Sequence, residues 1–160
     1  MGDAGSEPRL ILLCGPPGSG KTTPAKRLAG EIPAVRLCPD EWTADLGVDL
    51  FDADVRDRLE RRFWEHAQEL PALGQNVILE FGFWGRSERD EKRLRARARF
   101  SCRAALSGHT GRRIVPSPGG PQQTGAPGTA PVGRELLEEY LRLFQAPGDD
   151  ELALFDEPLS

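Results

Sequence analysis

The sequence predicts an α/β fold of three layers, a parallel sheet sandwiched between helices, and three observations carry that prediction. An apolar run, Leu10 to Cys14, leads straight into Gly15, Pro16, Pro17, Gly18, Ser19, Gly20, Lys21 and Thr22. A second run, Val77, Ile78 and Leu79, is apolar without alternation, as strands are when helices cover both faces of a parallel sheet. Between the two, Val55, Leu59, Phe63, Ala67 and Leu70 recur at three- to four-residue steps, the stripe a helix needs to cover such a sheet.

The elements follow in order. After the first strand and its Gly-rich turn, residues 20 to 31 read as a helix. Pro24 falls in its first turns, where the missing N–H has no helical partner to lose, although Thr23 is pushed toward extended geometry; a strained or shifted helix start is expected. Pro33 ends this helix and Ala34 to Leu37 form a second strand. The amphipathic helix from Asp52 closes at Pro71 and Gly74, and the third strand ends on Glu80. Residues 87 to about 99, rich in Arg, Glu and Ala, form a largely solvated helix with Ser87 as candidate N-cap. Leu136, Leu137, Tyr140, Leu141 and Phe144 mark a last amphipathic helix, from near Arg134 to Pro147 and Gly148, before an acidic tail.

Length and composition set bounds. At 160 residues the chain is expected to be a single domain with a flexible start over residues 1–8. A net charge of -4 gives no support for general attraction to nucleic acid or to anionic membranes. No apolar stretch reaches the length of a membrane span, and Met1 to Glu7 lacks a signal-peptide pattern. Cys14, Cys38 and Cys102 are scattered and odd in number, which suits core packing in a reducing cytoplasm.

The chemistry begins at the Gly-rich turn. A strand feeding a turn whose N–H groups point inward, followed by a helix N-terminus, makes a concavity for phosphate. Gly15 through Thr23 are the candidate nucleotide contacts, with Lys21 reaching the outer phosphates and the Thr22 hydroxyl completing the coordination of Mg²⁺. In an open α/β sheet ligands sit beyond the carboxyl ends of the strands, which singles out Asp40 and Glu41 after the second strand, and Glu80 with Arg86 after the third. Asp40 suits a general base for an attacking hydroxyl; it equally suits a helix cap after Pro39, and Glu41 and Asp45 compete for the role. Glu80 suits the metal side or the holding of a loop. Arg86 suits either stabilisation of the transferred phosphoryl group or an ordinary surface position. Trp42 and Trp84 flank these residues and suit either the wall of a substrate pocket or, the preferred expectation, packing in the core. Arg93, Arg95, Arg97 and Arg99 suit contact with a nucleic-acid backbone or a solvated helix, and the second reading is preferred because on a helix they spread over several faces with no aromatic platform beside them; His66 and His109 read as structural or incidental.

From the phosphate loop through Cys38, Pro39, Asp40, Glu41 and Trp42 to the stretch Glu80–Asp90, the sequence resembles P-loop kinases of the chloramphenicol phosphotransferase, zeta-toxin and polynucleotide kinase group. The resemblance covers residues 9 to 99 and returns at about 128 to 156. It implies a nucleotide-kinase-like fold, with ATP and Mg²⁺ as ligands and a hydroxyl on an antibiotic, sugar nucleotide or nucleic-acid end as acceptor. Asp40 then matches the general-base position, and Gly15, Gly20, Lys21 and Thr22 the nucleotide site.

The sequence departs from that pattern between residues 100 and 127, where such kinases place a fourth strand and a lid helix with phosphate-clamping arginines. No Asp or Glu occurs between Lys92 and Arg134, and prolines stand at 116, 118, 121, 127 and 131. The segment 100–133 is therefore expected to be irregular or disordered and to lack both features. Arg112 and Arg113, beside Gly111 and Pro116, have no helix to aim them. Such a stretch between two conforming segments reads as out-of-frame GC-rich coding sequence, which translating the other two frames tests. The expected function is transfer of the γ-phosphate of ATP to a hydroxyl acceptor. The alternatives are an ATP-binding or ATP-hydrolysing switch that engages a partner, and a catalytically impaired relative.

Overall fold

A computed structural model describes residues 7–16, 21–100, 103–108 and 134–156. Four parallel strands, β1 (Arg9–Cys14), β2 (Ala34–Leu37), β3 (Asn76–Gly82) and β4 (Arg103–Gly108), lie in the order β2-β3-β1-β4. Helices α1 (Thr22–Glu31), α2 (Pro39–Asp45), α3 (Ala53–Glu69) and α4 (Arg86–Phe100) connect them, and α5 (Arg134–Leu143) and α6 (Asp149–Leu152) follow.

Strand alternation divides the core. Leu10, Leu12, Val77, Leu79 and Phe81 pack with Phe63, Trp64 and Ala67 of α3 and Ala96 of α4. Ile11, Leu13 and Ile78 turn the other way, onto Ala25 and Leu28 of α1. Both faces of the sheet are thus covered, which is why the interior of β1 and, apart from Glu80, that of β3 are apolar. The chain leaves β1 toward β2 on one side and leaves β3 across β1 to β4 on the other, so the order reverses between β1 and β3. Ligands bind outside the carboxyl ends at such a reversal.

Most element bounds agree with the sequence, and the differences have local causes. A fourth strand is present: β4 pairs in parallel with β1 from Arg9↔Arg103 to Cys14↔Gly108. Its sequence, RAALSG, has no β-branched residue to announce a strand, but an edge strand needs only a backbone partner, and β1 supplies one. The remainder of the expected irregular lid, with Arg112, Arg113 and His109, falls in 109–133, outside the described residues.

The first helix starts at Thr22, two residues after the expected start at 20. The Ala25 N–H donates to Lys21 O at 3.1 Å, so Pro24 stands where an N–H would have no helical acceptor. Ser87 is no cap, because α4 already begins at Arg86. Nor is α4 solvated all round: Arg89 is 0% exposed and Arg93 8% exposed. Part of the acidic tail forms α6, and Glu151 within it is buried. His66 is half exposed beside Glu69.

One glycine is demanded by the fold next to the phosphate loop. Gly82 has φ +91°, and a Cβ there would lie 2.8 Å from Trp84 Nε1 and 3.2 Å from Gly15 O. Gly82→Ala is expected to cost about 2 kcal/mol in urea unfolding. Gly30→Ala, in α1 with nothing within 4 Å of the added Cβ, should instead gain about 0.5 kcal/mol.

Candidate active site

The carboxyl end of β1 runs into buried Pro16. The Gly15 N–H donates to Gly82 O at 3.0 Å, joining the loop's first residue to the end of β3. Pro17, Gly18, Ser19 and Gly20 lie outside the described residues. Lys21 closes the loop back on itself, its Nζ donating to Gly15 O and Pro16 O, each at 2.9 Å. Burial lowers the pKa of this ammonium, opposed chiefly by the negative charge of Asp40. Thr22 and Thr23, the first two residues of α1, are exposed. The loop's cation is thus held over its own carbonyls, with helix N–H groups and hydroxyls beside it, an arrangement suited to receiving phosphate oxygens.

Asp40 lies in the first turn of α2 rather than at its cap, which is Cys38. Its carboxylate is half exposed and ion-paired with Arg56 Nη1 of α3. Arg56 is in turn fixed by Glu60, Nε to Oε1 at 2.9 Å, one turn along the same helix. Burial pushes the Glu60 carboxyl up to about 7, against the pull of Arg56 and helped by the like charges of Glu88 and Asp40. Glu60, raised from 4.5, holds its proton more tightly folded than unfolded, so folding stability should fall as pH rises from about 4.5 to about 7 and then level off. Glu80 and Glu88 are also raised by burial and act with the same sign. Thermal melts of Glu60→Gln are expected to show a smaller loss across that window than the wild type.

Glu80 is buried on the α1 side of the sheet. Its Oε1 accepts from Arg36 Nε at 2.8 Å, and Arg36 Nη2 bridges to Glu41 Oε1 at 3.2 Å. Lys26 of α1 reaches the same Glu41 oxygen at 3.4 Å. Burial raises the Glu80 pKa, only partly offset by Arg36. Its Oε2 is buried with no hydrogen-bond partner among the described residues, a free acceptor that fits a cation or the water of one. The described residues contain no group of three or more His, Cys, Asp or Glu able to hold a metal. Glu80 Oε2 and the exposed Thr22 hydroxyl are single oxygens of the kind that suits a Mg²⁺ ion whose other ligands are phosphate oxygens and water. Glu41 is committed to Arg36 and Lys26, which outweigh burial and lower its pKa.

Arg86 stands apart from this group. It is half exposed, with Nη1 2.8 Å from Asp150 and Nε 3.8 Å from Asp90. Trp42 is 48% exposed rather than core, its ring edge-on to Phe63 at 5.0 Å. Trp84 packs against Tyr140 of α5 at 4.9 Å. Cys14 and Cys38 are buried free thiols, pushed up to about 11 and about 12 by burial. Sequence reasoning missed Arg36, Arg56 and Glu60. The Arg56/Glu60 spacing of four was visible, but it is the spacing of any surface helix pair.

No helix among the described residues is long and apolar enough to cross a membrane. Residues 10–110 match the model of a family described as an AAA domain. Among curated proteins, an AAA ATPase forming ring-shaped complexes from Bifidobacterium animalis subsp. lactis is 39% identical over 74 residues, 45% of this chain. The ATP-dependent zinc metalloprotease FtsH of Acaryochloris marina is 36% identical over 94 residues, 54% of this chain. In each case the match spans only 14% of the relative. Among solved structures, a proposed kinase of Chloroflexus aurantiacus superposes with a TM-score of 0.55 at 21% identity, over 66% of this chain and 60% of that one. A chain of the Pnkp1/Rnl/Hen1 complex gives a TM-score of 0.53 at 22% identity, over 68% of this chain and 37% of that one. At these identities the likeness is one of fold.

Proposed function

We propose that this chain, which belongs to the AAA domain family of P-loop, kinase-like proteins, is a phosphotransferase that passes the γ-phosphate of Mg·ATP to a hydroxyl of a small molecule or nucleotide. The observation that carries the proposal is a phosphate-loop cation and an acid at the same end of the sheet: Lys21 Nζ is held over Gly15 O and Pro16 O at 2.9 Å past the end of β1, and Asp40 stands in the first turn of α2 past the end of β2. Mg²⁺, when bound, would supply positive charge to offset the negative charge that develops in transfer. Thr22 and Glu80 are the residues that would hold it. Lys21 exchanges its loop carbonyls for the outer phosphate oxygens. Asp40 takes the proton of the acceptor hydroxyl as the new O–P bond forms and the bond to the β–γ bridging oxygen breaks, releasing ADP. A part for Arg86 requires that it leave Asp150 and Asp90 and swing to the phosphates. The buried free thiols suit a reducing, cytoplasmic setting.

A second reading, an ATP-hydrolysing switch that engages a partner, is favoured by the ion pair that already occupies Asp40. Incubation with γ-labelled ATP and a set of hydroxyl acceptors separates the two. The set holds a phenicol antibiotic, a sugar nucleotide and an oligonucleotide with a free 5′-hydroxyl, the last because a structural neighbour comes from an RNA repair complex. Label on an organic acceptor supports the kinase. Label only in inorganic phosphate assigns the switch, and no release of label assigns an impaired relative.

A further inference from the structure

The turn that follows β3 is held in an unusual shape. Phe83, buried and not a glycine, has φ +45°, a left-handed conformation that costs about 1–3 kcal/mol and persists only where its surroundings fix it. Its carbonyl is fixed by Arg89 Nη1 at 2.7 Å. The same guanidinium, fully buried, lies 3.8 Å from Cys14 Sγ and binds Glu151 of α6 with two bonds, Nε to Oε1 at 2.6 Å and Nη2 to Oε2 at 2.8 Å. Cys14 immediately precedes the phosphate loop, and Gly82, immediately before Phe83, accepts from the loop's Gly15 N–H.

We propose that Arg89, locked by Glu151, is a positioning residue for the phosphate loop: it fixes the Gly82–Phe83 turn on which Gly15 rests, and so sets the loop for phosphate. The proposal rests on the nucleotide-binding reading above and adds a residue that touches neither nucleotide nor acceptor. A purely structural role for the pair would be to pin α6 to α4, yet Arg97 with Asp156 at 3.3 Å and Arg93 over the Phe155 ring already join those segments. What Arg89 supplies is a charged donor to the Phe83 carbonyl at 2.7 Å, where the Cys14 thiol donates more weakly at 3.5 Å. The C-terminal segment adds contacts at the same turn, with Gln145 N–H donating to Trp84 O at 2.8 Å and Gln145 Oε1 accepting from the Arg86 N–H at 3.0 Å.

Arg89→Met combined with Glu151→Leu removes both buried charges together, a replacement that cores tolerate far better than loss of one partner. Calorimetry with Mg·ATP on this double variant should give a Kd about ten-fold weaker than wild type. Leu70→Ala is the comparison: Leu70 packs against the same core near the start of β3, away from the loop. It should lower Tm while leaving Kd unchanged. An unchanged Kd in the double variant overturns the proposal, as does an equal weakening in Leu70→Ala. Absence of binding in the wild type instead removes the nucleotide-binding reading itself.

Should the double variant not fold, Glu151→Gln keeps the side chain's shape while releasing Arg89 from its charged partner. Amide hydrogen exchange at Gly15 should then run about ten-fold faster, with Leu79 in the middle of β3 unchanged. Unaltered exchange at Gly15 overturns the proposal.

Discussion

Replacing Lys21 with alanine is expected to weaken Mg·ATP binding about 100-fold in calorimetry, since a hydrogen bond from a charged group contributes about 1.5–3 kcal/mol and Lys21 has more than one to give. Its Nζ already makes two, to Gly15 O and Pro16 O, and phosphate oxygens are stronger acceptors in the same place. The ammonium is partly desolvated, as its lowered pKa reflects, and a desolvated cation gains more from a polyanion than one in water. The variant should also lose about 1–2 kcal/mol of stability, because the two carbonyls lose their donor. Affinity equal to wild type would remove the loop as a working site.

The second large effect is on turnover. Asp40→Asn keeps the size of the side chain and leaves Arg56 held by Glu60 at 2.9 Å, so the fold around it should survive. Without a base, transfer to the acceptor should slow by about 10²–10⁴-fold with Mg·ATP affinity little changed. That split between binding and turnover marks a group acting on the acceptor side. A rate equal to wild type would move the base to another carboxylate. Glu41 is a poor successor, committed as it is to Arg36 and Lys26. Glu60, whose pKa stands at about 7, would be the one to test next.

Much of this architecture was legible because periodicity and breakers report directly on backbone geometry. The second strand lies at Ala34–Leu37 as the sequence indicates, and the helix expected from Asp52 begins one residue later, at Ala53, with Asp52 as its cap through the Val55 N–H. The fourth strand was not legible, because RAALSG carries no side-chain pattern for pairing with β1. The α4 arginines misled for a related reason. A run of Arg and Glu reads as a wet face, and nothing local shows that Arg89 meets Glu151, 62 residues further on, in a dry interior. At the site, the loop motif carried its own meaning in eight consecutive residues. The acids did not: Asp40 and Glu80 are each defined by a cation from another element, Arg56 and Arg36, and such pairings exist only once the chain has folded. Trp42 shows the limit from the other side, since an indole expected in the core stands 48% exposed two residues beyond Asp40.

The central claim, that residues 15–22 bind a nucleoside triphosphate, is tested most directly by titrating the ¹⁵N-labelled wild-type chain with Mg·ATP and following its amide resonances. One-to-one saturable binding is predicted, with the largest shifts at Gly15, Lys21 and Thr22 and small ones at the far end of β3 around Asn76. Resonances that do not move with added Mg·ATP, or that move first at Asn76 and last at Lys21, would contradict it.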